Sequence, residues 1–400
     1  MKTKMDKTLV ISISKDPIGT FYHWCIGLLP VLCLCNTPFL NISLGSVLLL
    51  LFVPYILVQI LQRVRFFKSK VSLIPFLLLY VYIIFRAEGN AARIILCIAA
   101  VINILGATNG VIKVEKIRRI MEWFAILNTV LVVLQVLAYY GLHMRIQYIP
   151  QSIIHSDFLE SYVFEAADGL YRPSALFLEP SHYSQYCCFA LISALFPRQG
   201  KADLKRAVII AAGCILTTSG MGIMVTFGIF AWYIIFYNTS KGMKLIRILK
   251  WIPVVAVAVV IALQIPFVQT ALQRVFSDVD GYNAIRGRTG NWSKAIGPME
   301  GRDLWLGYGD SAKYPYYLAG LADTIYKYGI VGVALEFICF LYLLLKKFRN
   351  FETCYCIVFI LLFCFAHLTS IYVQVFHFGV LIANVTMSEG TPAKAKALKS

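Results

Sequence analysis

Along this chain long apolar runs alternate with short clusters of charge. An α-helix needs about 20 apolar residues to cross the roughly 30 Å hydrocarbon layer of a membrane. Runs near that length, several of them short, occur at about 18–36, 42–61, 71–86, 91–110, 120–140, 182–197, 206–219, 221–237, 248–266, 329–345, 352–369 and 370–386. The pattern predicts an all-α, polytopic integral membrane protein with about twelve transmembrane helices. From Ala207 to Asn238 the apolar stretch is too long for one helix, so a tight turn is expected at Thr217-Thr218-Ser219-Gly220. Two long polar segments are left over, at about 141–181 and 267–315. Residues 1–386 read as a single membrane domain and 387–400 as a cytosolic tail, with no internal repeat and no soluble domain.

Composition narrows the class. With 59% hydrophobic residues, 14% charged residues and a mean hydropathy of +0.73, the chain is too apolar for one compact soluble core. A net charge of +17 would suggest nucleic acid in a soluble protein. Here the basic residues sit between apolar runs, as topology signals do, and no nucleic-acid partner is expected. On the twelve-span reading, 26 of the 37 Lys and Arg fall on one side and 11 on the other. That asymmetry puts both termini in the cytosol and both long polar segments on the outer face. The basic start MKTKMDK is followed by Lys15-Asp16-Pro17 and no small-residue cleavage site, so it reads as a cytosolic tail. All eleven cysteines lie in or beside apolar segments with no CxxC pair, which makes them reduced, buried hydrophobes rather than metal ligands.

The chemistry-bearing residues gather where the first polar segment meets a helix, in Tyr171–Tyr186, YRPSALFLEPSHYSQY. Arg172 offers a planar fork of donors suited to phosphate oxygens, although an arginine here can also anchor the loop to lipid head groups. Pro180 and Ser181 are residues typical of a helix start, and the amino end of a helix attracts anions. Glu179 and His182 are both candidates for the general base. Against Glu179, a carboxylate beside Arg172 and a helix amino end is a weaker base and can serve simply to fix the arginine. His182 can equally be an interfacial helix residue.

The second polar segment holds Arg286-Gly287-Arg288-Thr289-Gly290-Asn291-Trp292 and then Arg302 to Gly309. Arginines two apart share a face when the backbone is extended, so Arg286 and Arg288 can converge on one anion. One such charge is worth about 4 kcal/mol at 4 Å before desolvation, so two or three could stabilise a departing pyrophosphate without a metal. A solvated basic loop is the plain alternative. Tyr171, Trp292 and Tyr314 would suit sugar faces, yet aromatics also belt membrane interfaces. Asp278-Val279-Asp280 has a spacing that can hold Mg²⁺ but reads better as a turn. Glu336 lies inside an apolar helix, a costly place for a carboxylate unless it is paired or faces a wet cavity. His367 and His377 read as buried, hydrogen-bonded side chains.

The run RPSALFLEPSHYSQY, the TTSGMG turn, the segment from RGRTGNW to WLGYGD, and LADTIYKYGIVGVALEFICF together resemble the Wzy-type polymerases of bacterial O-antigen and capsule. The resemblance covers about residues 170–345 and the overall topology. It implies a glycosyltransferase of GT-C-like architecture, with two outer loops forming the active site; with arginines to balance the pyrophosphate, no metal or cofactor is expected in the reaction. It implies substrates carried on undecaprenyl pyrophosphate, in the bacterial inner membrane, and lipopolysaccharide or capsule as the product class. Arg172 and Arg288 then look like the family's two arginines, with Arg286 as the near alternative and Arg302 as a further substrate contact. A chain-length regulator and a flippase are partners expected of the family. The related O-antigen ligases carry a histidine in the second outer loop, whereas here that region reads Lys313-Tyr314-Pro315-Tyr316-Tyr317. The competing readings are a ligase and, in a different class, a polysaccharide flippase or transporter.

Overall fold

A computed structural model describes residues 16–37, 42–62, 71–154, 171–197, 201–236, 289–316, Leu318, 320–346, 350–365 and 370–389, with the single positions Pro253, Gln264 and Gln269. Helix dominates, and among the described residues extended pairing is limited to the isolated bridges Cys35–Ile154 and Asn36–Ser43. The helices are α1 (Pro17–Gly27), α2 (Leu29–Leu32), α3 (Leu44–Leu51), α4 (Val53–Gln62), α5 (Ile74–Phe85), α6 (Ala91–Thr108), α7 (Val114–Leu142), α8 (Pro180–Leu195), α9 (Leu204–Leu216) and α10 (Gly220–Phe236). They continue as α11 (Trp292–Ile296), α12 (Gly301–Leu306), α13 (Gly320–Lys346), α14 (Asn350–Phe365) and α15 (Ile371–Glu389).

Four stretches, Leu44–Gln62, Ala91–Thr108, Val114–Leu142 and Gly320–Leu345, are long and apolar enough to cross a membrane. Shorter apolar helices occupy Ile74–Phe85, Gly220–Phe236, Asn350–Cys364 and Ile371–Thr386. Every predicted run except 248–266, which lies outside the described residues save for Pro253 and Gln264, coincides with a helix or a broken pair of helices. The first run breaks beside Pro30, between α1 and α2, and the second at Phe52, between α3 and α4. Prolines at these points remove a backbone donor and disfavour helix in the residue before them. The expected turn between α9 and α10 is present: Thr218 takes a left-handed conformation, φ 58°, and the Ser219 hydroxyl accepts from Gly222 N at 3.3 Å.

Helix α7 shows why this architecture suits a bilayer. Its exposed side chains Trp123, Leu127, Val130, Leu134 and Leu137 recur at helical spacing and form an apolar stripe. Its polar side chains Arg118, Glu122, Asn128, Thr129 and Gln135 are buried. Apolar groups outside and polar groups inside reverse the soluble pattern and match a hydrocarbon surround. The protein is therefore an integral membrane protein.

Helix α8 is the interior helix, packed against α7, α9, α10 and α14, and every residue in it except His182 is buried. Small side chains make the close approach workable: a β-carbon on Gly222 of α10 would fall 2.2 Å from Ser184 Oγ, and one on Gly213 of α9 would fall 2.0 Å from the Tyr183 hydroxyl. Polar groups along α8 are satisfied sideways, Tyr183 with Thr129 Oγ1 at 2.9 Å and Tyr186 donating to Gly27 O at 2.8 Å. At its carboxyl end Arg118 donates to Ser193 O at 2.9 Å and Phe196 O at 2.6 Å, satisfying carbonyls that the end of a helix leaves open. The Ser193 hydroxyl in turn donates to Glu122 at 2.6 Å, and Glu122 pairs with Arg206 at 2.9 Å. All eleven cysteines are free thiols, nine of them buried, as their apolar settings suggested.

Candidate functional site

The segment 171–179 is laid onto α7 before the chain enters α8. Asn128 and Gln135, seven positions apart on α7, share one face; Asn128 Oδ1 accepts from Leu176 N at 3.1 Å and Gln135 Oε1 from Ala175 N at 2.9 Å. Ala175 has φ 52°, and Phe177 N donates to Ser174 O at 2.9 Å, closing a turn. A buried amide without a partner costs about 1–3 kcal/mol, so these two side chains fix the path of the segment.

Tyr171 anchors the start of that path. It is 2% exposed and stacks face to face on Tyr139, with ring centroids 4.3 Å apart and planes 6° from parallel. Burial pushes its phenol up to about 12, so at neutral pH it is an uncharged hydroxyl. Arg172 follows, half-buried. Glu179 occupies the cap position of α8 with extended backbone, φ −131° and ψ 147°, and Pro180 opens the helix. The Glu179 carboxylate accepts from the Ser181 hydroxyl at 2.5 Å. His182 is half-buried in the first turn. Glu179 and His182 thus stand at the amino end of the interior helix, while Arg172 belongs to the segment laid along α7, next to Tyr171 on Tyr139.

The second polar segment is described from Thr289 onward. Arg286, Arg288 and the Asp278–Asp280 pair lie outside the described residues. Trp292 and Tyr314 come together around a small apolar cluster of Ala295, Leu318 and Ala322, joined by Tyr326 of α13. Arg302 is exposed on α12. Among the described residues no group of three or more His, Cys, Asp or Glu is arranged to hold a metal ion.

The structure also builds a network that the sequence reading met only as a tally of charges. Helix α13 is broken at Gly329, φ 65°, and the turn after α12 passes through Gly307, φ 74°. The two breaks meet: a β-carbon on Gly307 would fall 2.3 Å from Lys327 O, and one on Gly329 would fall 2.2 Å from Trp305 O. Carbonyls freed by the break are taken up by neighbours. Tyr308 N donates to Tyr326 O at 2.8 Å, Gly309 N to Lys327 O at 3.0 Å, and the Tyr82 hydroxyl to Tyr328 O at 2.7 Å. Irregular backbone at membrane depth is tolerated only with such partners.

Two arginines complete the network. Arg86 donates to Gly307 O at 2.7 Å and its own carbonyl accepts from Asp310 N at 3.0 Å. Arg93 pairs with Asp310 at 3.1 Å and donates to the Tyr328 hydroxyl at 2.8 Å, while that hydroxyl donates to Asp310. The sequence signals were Arg86 and Arg93 on the basic-poor side and an aspartate closing WLGYGD.

Elsewhere, Glu336 is buried and accepts from Gln374 Nε2 at 3.2 Å. His377 is buried against the Tyr355 hydroxyl at 2.8 Å, and His367 lies outside the described residues.

Neither a curated protein nor a solved structure matches this chain. The family model Wzy_C, described as O-Antigen ligase, matches residues 207–329, from α9 to the break in α13. The motif of Arg172, Glu179 and His182 precedes that stretch. Over that stretch, which includes the WLGYGD segment and its partners on α13, the chain is similar to the O-antigen ligase family; the match spans under a third of the 400 residues.

Proposed function

We propose that this protein polymerises oligosaccharide repeat units carried on undecaprenyl pyrophosphate, at the outer face of the bacterial inner membrane. A hydroxyl of one unit attacks the anomeric carbon of the growing chain, the carbon–oxygen bond to the pyrophosphate breaks, and undecaprenyl pyrophosphate departs. The similarity of residues 207–329 to the O-antigen ligase family supports reading it as a glycosyl-transferring membrane enzyme that acts on lipid-linked polysaccharide. The observation that supports the finer reading is that Glu179 and His182 stand at the amino end of α8, with Arg172 on the segment that leads into it.

Each part has a physical task in this scheme. The guanidinium of Arg172 and the positive end of the α8 dipole neutralise charge that grows on the leaving pyrophosphate. Arg288, with Arg286 beside it, supplies the second cationic group. Glu179 or His182 takes the proton of the attacking hydroxyl. Trp292 and Tyr314, clustered with Tyr326, offer aromatic faces to sugar rings, and Arg302 and Tyr171 are further substrate contacts. The reaction needs no metal in this scheme, because arginines replace the cation that would balance a diphosphate.

Polymerisation is favoured over ligation because residues 207–329 contain no histidine, where the ligases carry one in the second outer loop. The test is direct. Purified protein given only lipid-linked repeat units should yield a ladder of products and free undecaprenyl pyrophosphate, undiminished by a chelator. Product that forms only after a separate acceptor is added would make it a ligase. Substrate that crosses vesicles with no new glycosidic bond would make it a flippase.

A further inference from the structure

Glu336 sits in the inner part of α13, about two turns past the Gly329 break, and is 2% exposed. An ionised carboxylate at that depth carries a large desolvation cost unless a positive charge answers it. Among the described residues Glu336 has no basic partner; its hydrogen bond is the one donated by Gln374 Nε2. Arg93 is committed to Asp310 and Tyr328.

Beside Glu336 are buried oxygens that lack a donor. Among the described residues Gln374 Oε1, on a side chain 2% exposed, has no hydrogen-bond partner, and neither has the hydroxyl of fully buried Tyr80, which is close enough to interact electrostatically with Glu336. Glu336 and Gln374, but not Tyr80, border a cavity of about 10 Å³ between Leu79 and Ile83 of α5, Thr324, Tyr328 and Glu336 of α13, and Gln374 of α15. That is space for one particle the size of a water molecule. The lining residues carry a carboxylate, an amide carbonyl and two hydroxyls and no thiol or imidazole; Thr324 donates to Gly320 O and Tyr328 bonds Arg93 and Asp310, so each hydroxyl has only its remaining lone pair to offer. Such a set suits a hard cation rather than a zinc-like metal, and one carboxylate balances one positive charge. A broken helix beside a carboxylate in the membrane interior is also where transport proteins coordinate small cations.

The alternatives each leave one demand unmet. A water could donate to Gln374 Oε1 but would leave the charge of Glu336 buried. A proton on Glu336 would remove the charge but leave Gln374 Oε1 without a donor in this side-chain arrangement. A single cation lying between them meets both demands, as a proton on Glu336 together with a water would, and the binding experiment separates the two. We propose that Glu336, Gln374, Thr324 and Tyr328 form a binding site for one small monovalent cation, with sodium as the cation to be tested, which ties α5, α13 and α15 together beneath the break. The site is separate from the motif at the end of α8 and does not depend on the polymerase reading.

The full-length protein in lipid nanodiscs, with choline replacing sodium at constant ionic strength and mildly alkaline pH, provides the test. Equilibrium binding of radioactive sodium should saturate at one ion per chain, and the thermal midpoint should rise with sodium more than with potassium. Glu336→Gln should weaken sodium binding by about tenfold or more and flatten the thermal response. Because that variant alters a buried site, Gln374→Leu is read beside it: it keeps the carboxylate, removes the carbonyl ligand, and should lower affinity while one ion still binds at saturation. Absence of sodium binding by the unaltered protein, with a thermal midpoint indifferent to the cation present, would overturn the proposal and leave a water or a proton as the occupant. Neither readout uses glycosyl transfer, so failure here and failure of the polymerase reading are distinguishable.

Discussion

Arg93 at the start of α6 and Asp310 after the WLGYG turn form an ion pair of 3.1 Å, closed by the Tyr328 hydroxyl at the break in α13. The pair joins three parts of the chain that are distant in sequence. Its side chains are 21% and 13% exposed, so removing one leaves the other largely dehydrated. Asp310→Ala should cost about 2–3 kcal/mol, toward the lower end for a broken buried pair because some water reaches it. Asp303→Ala on exposed α12 should cost about 0.5 kcal/mol or less. Thermal unfolding of the two variants in the same detergent checks the difference.

The crossing of Gly307 and Gly329 makes a second demand on the same region. Both have positive φ, and a β-carbon on either would strike backbone of the other segment. Gly307→Ala and Gly329→Ala should each destabilise by more than the 1–3 kcal/mol typical of a strained backbone position, since strain and collision add. Gly301→Ala is the control: its φ is 49°, but a β-carbon there meets open space. It should show the strain alone, read as a smaller fall in thermal midpoint.

At the other site, loss of Arg172 should act on turnover rather than on folding. Arg172→Ala should slow chain elongation by about two to three powers of ten, as removal of a preorganised charge stabiliser does. Gln135→Leu tests whether position matters as well as charge, because it withdraws the acceptor of Ala175 N without touching the arginine. It should lower turnover with the protein still folded at normal abundance. Elongation assays with lipid-linked repeat units, normalised to folded protein, measure both.

Tyr171 gives a pH signature. Its folded phenol is raised to about 12 by burial, against about 10 when unfolded. Its contribution to stability is therefore full below about pH 10 and is lost as pH rises toward 12. Unfolding measured between those limits should fall less steeply in Tyr171→Phe than in the unaltered protein, and ultraviolet titration should show one phenol fewer ionising late.

The helices were legible in the sequence because apolar runs of membrane length leave few other structures open to them. Their ends were less so, for physical reasons. The run at 329–345 begins at the break at Gly329, but a further helical segment from Gly320 precedes it, in which Asp323 and Lys327 neutralise each other across one helical turn at 2.9 Å. Helix α7 begins at Val114 rather than about 120, since Arg118 and Glu122 are buried against the end of α8. The helix start at Pro180-Ser181 was readable from local residue chemistry, as was the turn at Thr217–Gly220. The pairing of Arg93 with Asp310 was not, because nothing local to either residue names a partner so far along the chain.

The length of α8 sets a depth. Sixteen residues make a helix of about 24 Å, short of the about 30 Å hydrocarbon thickness. On the proposed orientation, with Arg118 holding its carboxyl end at the inner face, the amino end of α8 would lie below the outer lipid phosphates. The proposed reaction would then draw the sugar–pyrophosphate junction down into a recess beside Glu179 and His182, where bulk water has less opportunity to compete with the acceptor hydroxyl.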